Sequence, residues 1–329
     1  MYDVTYTFPE VKWCSFIVFW ISDVLTHSCV PLFFFISGYL FFLGAKKDFL
    51  RSLPYKLKKR VKTLLIPYLI WNLFYFIYAF FKCDVDVNLN VLASAFFVKQ
   101  GLPQGCFYPA YIPFWFLREL IIMIAFSPLV YYVFGKLNRY VGYTLILILL
   151  FCDLSGFWPL ADSCYPGLSI HGWLFFCLGA CFGINNSHIF DKCAISQIIL
   201  IGVGYITVSF IDAYTILIQE ENYLLHELTI IMGVFAFIFI ANFIAAQNTK
   251  VTSFFVQLSL SVFLIFAMHG LLQLLMFHVA TMIHRPVSQY DLLIIYFVNT
   301  FMLVGVVYIF EKILRRFSPR LHSLLTGGR

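Results

Sequence analysis

Long apolar runs recur from one end of this chain to the other, and they constrain its fold more than any other feature. Hydrophobic residues make up 62% of the 329 residues and charged residues only 12%, against about 25% charged residues in a typical soluble domain. A helix needs about 20 apolar residues to cross the ~30 Å hydrocarbon core of a bilayer. The sequence therefore predicts an all-α, polytopic transmembrane bundle that forms a single domain over residues 1–329, with about nine spans near residues 15–43, 63–82, 113–134, 140–155, 169–184, 194–211, 225–246, 257–281 and 290–311.

The basic residues are concentrated in short connections between these runs. The stretch "AKKDFLRSLPYKLKKRVK" (residues 45–62) holds eight Lys and Arg, and further cations follow the last run, whereas the alternate connections carry mainly acids. Basic connections stay on the cytoplasmic side of a membrane. We therefore interpret the net charge of +6 as a signal of membrane orientation, and we expect no nucleic-acid partner. We expect a bacterial-type inner membrane, a cytoplasmic C-terminus and an N-terminus outside.

Four cysteines lie in the predicted outer connections or beside them. They are expected either to form disulfides, for which three pairings exist, or to remain four free thiols. The sequence leaves both alternatives open for Cys83, Cys106, Cys152 and Cys164.

The stretch "CVPLFFFISGYLFF" (residues 29–42) combines lipid-like residues with a helix breaker and small residues. Pro31 lacks an N–H and its ring crowds the preceding turn, so it predicts a break in the first span. At ~100° per residue the ionisable and small residues fall on one side of the helix. That side is either a small-residue helix contact or the wall of a cavity. Its members are Asp23, His27, Ser37 and Gly38.

Ionisable residues within spans are expensive, and they often mark functional sites. His269 lies midway along its span and is equally compatible with helix packing and with function. Arg118 and Glu119 lie near the outer end of their span and are expected to snorkel as a pair. The sequence shows no phosphate-binding glycine loop, no GxSxG elbow and no metal-ligand spacing, so histidine-based chemistry remains and no metal is expected.

Several of these segments together resemble the membrane acyltransferase family 3. They are "VPLFFFISGYLFF", the basic stretch, "LLIPYLIW", "PFWFL" and the late "FAMHGLL". Members of that family commonly have ten spans and move an acyl group, often acetyl from a cytosolic coenzyme A thioester, onto envelope sugars or other acceptors. The resemblance implies acetyl-CoA or another acyl-CoA as the donor, and an envelope glycan or lipid-linked sugar as the acceptor. Membrane lipid is the surrounding partner.

The resemblance also predicts roles for particular residues. The family's first helix carries a basic residue about ten residues before a histidine proposed as catalytic, and no segment here matches it. We therefore expect an incomplete or misannotated start, or a degenerate member, without the usual catalytic histidine. The resemblance implies donor binding by the basic residues and the small-residue pair, and supporting catalytic roles for two further residues. The first set is Lys59, Arg60, Lys62, Ser37 and Gly38, and the second is His269 and Asp23.

Two other functions suit the same features. A proline-broken helix and polar groups near the midplane are typical of transporters, although no repeat relates two halves of this sequence. A non-catalytic remnant of the family that binds ligand without turnover is the other alternative.

Overall fold

The computed structural model is helical wherever it forms regular structure. No β-strand occurs among the residues that it describes, which confirms the all-α prediction. Those residues are 12–45, 49–83, 96, 112–157, 169–185, 195–220, 222–247, 249–286 and 288–328.

The helices follow the predicted apolar runs, and several of them begin or end in a tighter or wider turn. Short π-helical segments continue three of the helices, at Trp20–Leu25, Val61–Leu65 and Tyr132–Lys136. The α-helices of the described residues are α1 (Lys12–Phe19), α2 (Cys29–Phe42), α3 (Phe49–Arg60), α4 (Ile66–Cys83), α5 (Trp115–Ala125), α6 (Ser127–Tyr131), α7 (Arg139–Leu154), α8 (Ile170–Asn185), α9 (Ile195–Leu217), α10 (Tyr223–Ala246), α11 (Lys250–Ser259), α12 (Val262–Ile283), α13 (Gln289–Phe317) and α14 (Pro319–Thr326).

Several of these segments are long and apolar enough to cross a membrane. Within the described part of the chain there are five, and seven if two bent pairs of helices each form one span. The bent pairs are α5 with α6, at 58°, and α11 with the first part of α12, at 55°. The protein is therefore an integral membrane protein. Helices α7 and α8 match two further predicted spans, but each has 16 residues and rises only ~24 Å.

The first predicted span is broken, but before the proline that suggested the break. Helix α1 passes into the π-helical segment Trp20–Leu25, a turn follows at residues 26–28, and α2 begins at Cys29. Pro31 therefore lies in the first turn of α2. There its missing N–H removes no intrahelical hydrogen bond. The prediction that Pro31 breaks the helix was therefore wrong: the interruption lies at residues 26–28, and Trp13–Phe42 as a whole is long and apolar enough to form one span.

The chain separates into two compact units. The first unit comprises Met1–Cys29 and Phe190–Ile313, and the second comprises Val30–Ile189 and Leu314–Arg329. Described helices of the first unit are α1, α9 to α12 and most of α13, and those of the second are α2 to α8 and α14. A single domain over the whole chain stays a prediction.

In the first unit α9 packs along α10 and also against α1 with its π-helical continuation. The side chain of Asn222 accepts a hydrogen bond from the backbone N–H of Leu225, at 3.1 Å, and so caps the start of α10. Such a cap satisfies one of the free N–H groups of a first turn. It fixes where α10 begins beside the end of α9.

In the second unit α2 and α8 approach each other through glycines. A Cβ atom at Gly38 would overlap the backbone oxygen of Phe176, and one at Gly183 would lie 2.5 Å from the backbone oxygen of Tyr39. Small residues allow such close helix contacts within membranes. Phenylalanines that are less than 2% exposed surround this contact, namely Phe34, Phe35, Phe42, Phe175 and Phe176.

The C-terminal helix α14 packs against α4 within the same unit. The indole Nε1 of Trp71 donates a hydrogen bond to the carbonyl of Leu325 at 3.1 Å. Gly327 has a φ of +75°, and a Cβ there would lie 2.6 Å from the backbone oxygen of Thr63. The end of the chain is thus fixed next to the end of the basic stretch.

Candidate functional site

Helix α9 carries a buried polar stripe. Tyr205, Ser209 and Asp212 lie four and three residues apart, so they share one face of the helix. They are 4%, 0% and 0% exposed. Buried polar groups are normally hydrogen-bonded; here Tyr205 and Ser209 bond to the π-helical segment after α1, and Asp212 bonds to α10.

The upper part of the stripe supports the break after α1. The hydroxyl of Tyr205 donates to the backbone carbonyl of Leu25 at 2.8 Å, and the indole N–H of Trp20 donates to the hydroxyl of Ser209 at 3.1 Å. A helix that stops inside a membrane leaves carbonyls that must be bonded to protein or to water in a cavity. The tyrosine supplies such a bond, so packing within the first unit stabilises the chain at this interruption.

Helix α10 approaches the same place. A Cβ at Gly233 would overlap the hydroxyl of Ser28 and lie 2.7 Å from the ring of Tyr205. The Ser28 hydroxyl is also 3.3 Å from the hydroxyl of Tyr205. Three segments of the first unit therefore meet at the turn of residues 26–28.

The lower end of the stripe forms a carboxylate–imidazole pair. Nδ1 of His226, in the first turn of α10, lies 2.9 Å from Oδ2 of Asp212. The Asp212 side chain is fully buried and that of His226 is 16% exposed. We call this pair the Asp212–His226 dyad. A buried carboxylate that accepts from Nδ1–H fixes the tautomer and stabilises the imidazolium form.

A second histidine lies against the dyad. The ring of His27 packs edge-to-face on the ring of His226, with 5.0 Å between centroids and an interplanar angle of 85°. Its Nδ1 is 3.1 Å from the backbone oxygen of Asp23. His27 is exposed, so the dyad lies beside an accessible imidazole at the broken span.

The structure gives separate surroundings to the two residues predicted to support catalysis. Asp23 is partly buried in the π-helical segment, where its backbone contacts His27. His269 is partly buried in α12, with Nδ1 2.6 Å from the backbone oxygen of Phe266. Both roles stay predictions.

The basic stretch presents two kinds of cation. Lys56 donates to the backbone carbonyl of Phe41 at 2.7 Å, and its ammonium lies 5.3 Å from the ring centroid of Phe49. Arg60, four residues later, places its guanidinium 5.7 Å from the ring of Phe41. Lys59 and Lys62 are exposed. The first two cations are held against the end of α2, and the other two face outward.

The two small residues of α2, Ser37 and Gly38, also differ in burial. Gly38 is buried in the contact with α8 described above, which supports the helix-packing interpretation for that residue. Ser37 is partly buried. A cavity-wall role for the pair stays a prediction.

Other predicted features have definite positions in the second unit. Nη2 of Arg118 lies 3.0 Å from Oε1 of Glu119, and these residues are only 9% and 3% exposed. The expectation of a snorkelling pair was therefore wrong, because the ion pair is enclosed by protein. Cys152 is a free thiol, whereas Cys106, Cys164 and the side chain of Cys83 lie outside the described residues.

The Asp212–His226 dyad was missed by sequence reasoning. In the sequence, Asp212 is one of several acids near the predicted outer connections. Nothing in the sequence analysis singled out His226. The spacing of Tyr205, Ser209 and Asp212 was the signal available, because three polar residues on one face of an apolar helix indicate a buried partner.

Two comparisons with known proteins found matches to this chain. A family model described as an acyltransferase domain, that of acyltransferase family 3, matches residues 3–312. Succinoglycan biosynthesis protein ExoH of Rhizobium meliloti (strain 1021) is 26% identical over 330 residues, which cover 94% of this chain and 81% of ExoH. No solved structure matches the chain.

Proposed function

The chain belongs to acyltransferase family 3, and we propose that this membrane acyltransferase moves acetyl, or another acyl group, from its coenzyme A thioester to a hydroxyl of an envelope carbohydrate. The observation that carries the proposal is the family match, which spans residues 3–312. The similarity to a protein named for succinoglycan biosynthesis supports an exopolysaccharide, lipopolysaccharide or related glycan as the acceptor.

The reaction is an exchange of a thioester for an oxygen ester. A general base removes the proton of the acceptor hydroxyl while its oxygen attacks the thioester carbonyl. The carbon–sulfur bond then breaks, and coenzyme A leaves as a thiolate that takes up a proton. No oxidant or reductant is needed, and the products are the acylated glycan and free coenzyme A.

The donor is held by the basic stretch. Arginine and lysine bind phosphate through charge-assisted hydrogen bonds. Exposure of Lys59 and Lys62 supports their contact with the phosphates of coenzyme A, and the packing of Arg60 on Phe41 supports a fixed guanidinium. Ser37 and Gly38 are proposed to flank the acyl arm, and His269 and Asp23 to supply supporting polar groups.

The orientation proposed from charge places the basic stretch and the C-terminus in the cytoplasm of a bacterial-type inner membrane. The packing of α14 against α4, with Gly327 next to Thr63, supports a common side for these two segments. A cytosolic thioester would meet its phosphate-binding residues there.

Transfer of label from the donor tests the proposal. The purified full chain in lipid vesicles is incubated with de-esterified succinoglycan and with acetyl-CoA labelled either in the acetyl group or in the coenzyme A moiety. We expect alkali-labile acetyl label on the glycan and no coenzyme A label there. Uptake of an unmodified solute without glycan label would instead establish the transporter, and donor binding without turnover would establish the remnant.

A further inference from the structure

We infer that the C-terminal helix α14 is an interfacial helix that binds anionic phospholipid of the surrounding bilayer. In this arrangement Leu321 and Leu324 lie in the apolar layer, and Arg316 and Arg320 contact the lipid phosphates. Helix α14 (Pro319–Thr326) lies after residues 3–312, which the family model matches. The inference therefore concerns a surface outside the matched domain and does not depend on acyl transfer.

The chain itself places α14 at the membrane surface. Helix α13 is a candidate span that ends at Phe317, and α14 begins at Pro319. Only one residue separates them, and one residue extends the chain by at most ~3.6 Å. The 29 residues of α13 rise ~43 Å, which exceeds the ~30 Å hydrocarbon core. The end that carries Arg315 and Arg316 therefore reaches the headgroup layer, and α14 starts at that level.

Helix α14 has a buried polar face and an exposed apolar face. His322 and Thr326 are only 4% and 0% exposed, and the helix packs against α4 of the same unit. Leu321 and Leu324 are 44% and 47% exposed, and at ~100° per residue they fall on the opposite side of the helix. A helix that faces water shows the reverse arrangement. The two leucines are thus suited to an apolar surrounding.

Arginines border the exposed leucines. Arg320 is exposed and lies only ~40° from Leu324 around the helix axis. Arg316, also exposed, precedes Phe317, which is 79% exposed. Within the part of the chain that the structure describes, neither guanidinium forms an ion pair. Cations that flank an apolar helix face beside a span attract anionic lipid headgroups, and guanidinium binds phosphate through paired hydrogen bonds.

Contacts within the second unit hold this face in place. Trp71 of α4 donates to the carbonyl of Leu325, and Gly327 lies against the backbone of Thr63. Helix α4 is itself part of the candidate span Phe49–Tyr78. The leucines and arginines therefore form a preformed surface at the edge of a span, and a preformed surface lowers the cost of binding.

The combination of charge and apolar surface favours a phospholipid over coenzyme A. The phosphates of coenzyme A could contact the arginines, but they would leave the leucines in water. A phospholipid supplies a phosphate and acyl chains in one molecule, so it matches both parts of the surface.

Hydrogen exchange of the full chain in vesicles tests the site. Vesicles of phosphatidylcholine are compared with vesicles of equal parts phosphatidylcholine and phosphatidylglycerol, without acyl donor or acceptor. The amides of α14 should exchange about 25-fold more slowly in the anionic vesicles, from about fivefold per arginine. The double variant Arg316→Gln, Arg320→Gln should lose this difference. The matched variant Lys250→Gln, Arg285→Gln, at exposed cations of the first unit, should keep it.

Two results of this comparison would overturn the inference. One is equal exchange of α14 in the two kinds of vesicle for the wild-type protein. The other is an undiminished difference in the arginine variant.

A second variant and a second ligand separate the apolar contact and the donor from the lipid phosphates. Leu321→Gln with Leu324→Gln should speed the exchange of α14 in both kinds of vesicle, while unchanged exchange in α8 shows that the fold persists. Unchanged exchange in α14 would remove the leucines from the bilayer and contradict the inference. Slower exchange of α14 on addition of acetyl-CoA to phosphatidylcholine vesicles, abolished in the arginine variant, would assign the arginines to the donor instead. None of these measurements requires acyl transfer, so their outcome is independent of the proposed function.

Discussion

The hydroxyl of Tyr205 donates a hydrogen bond to the backbone carbonyl of Leu25 at 2.8 Å. This bond joins α9 to the last residue of the π-helical segment that follows α1. A broken helix inside a bilayer is stable only where protein or enclosed water takes over its lost backbone bonds. The break and the buried stripe of α9 are thus parts of one arrangement.

Removing that hydroxyl should destabilise the protein. Tyr205→Phe removes the hydroxyl that donates to a partly buried carbonyl, which costs about 1 kcal/mol. Tyr214→Phe removes a hydroxyl from an exposed tyrosine of the same helix and should cost nothing measurable. Thermal unfolding of both variants in the same detergent gives the comparison, and equal midpoints would remove the structural role of the bond.

The contact between α2 and α8 predicts a steric effect at glycine. Gly38→Ala adds a methyl group that overlaps the backbone of Phe176, so the helices must separate at a cost of about 1–3 kcal/mol. Gly202→Ala adds the same methyl group where nothing lies within 4 Å. We expect a lower unfolding midpoint for the first variant alone. A midpoint for Gly38→Ala at or above that of Gly202→Ala would show that the helices are not in contact there.

Within the basic stretch, we expect the exposed lysines to bind the donor and the packed Lys56 to stabilise the fold. Replacing both Lys59 and Lys62 with Gln should raise the KM for acetyl-CoA about tenfold, the equivalent of ~1.4 kcal/mol, with kcat unchanged because uniform binding is lost. The effect should diminish at high salt, since exposed charges are screened. Lys56→Gln, which loses a bond to Phe41, should instead lower the unfolding midpoint. An unchanged KM in the double variant would remove these lysines from the donor site.

Two glycines with positive φ, one after α2 and one after α14, form a matched pair. Gly44 and Gly327 have φ of +73° and +75°, but only Gly327 has a backbone, that of Thr63, against it. Gly44→Ala should cost about 1–2 kcal/mol from the left-handed conformation alone. Gly327→Ala should cost more and should increase protease cleavage near α14. Similar losses in both variants would show that the contact with Thr63 contributes nothing.

The helical class and the approximate spans could be predicted from the sequence, because apolar length acts locally. The interruption at residues 26–28 could not, since Tyr205 and Ser209, which bond to the residues before it, lie on a distant helix. For the same reason Asp212 and His226 were not paired: the polar stripe of α9 indicates a buried partner but does not identify it. Their relationship arises only when α9 packs along α10.

The family match shows that the chain belongs to an acyltransferase family. The assignment of individual residues to the transfer is a proposal. The resemblance directed attention to Gly38, which packs against α8, and to His269, whose Nδ1 lies 2.6 Å from the backbone oxygen of Phe266. The burial of Gly38 and its closeness to the backbone of Phe176 reveal a packing role that the motif alone does not show.

The transfer of acetyl from labelled acetyl-CoA to de-esterified succinoglycan, measured with the wild-type protein in lipid vesicles and with vesicles that lack it, tests the account most directly. We predict alkali-labile acetyl label on the glycan only in the sample that contains the protein. Equal label in the two samples would contradict the account.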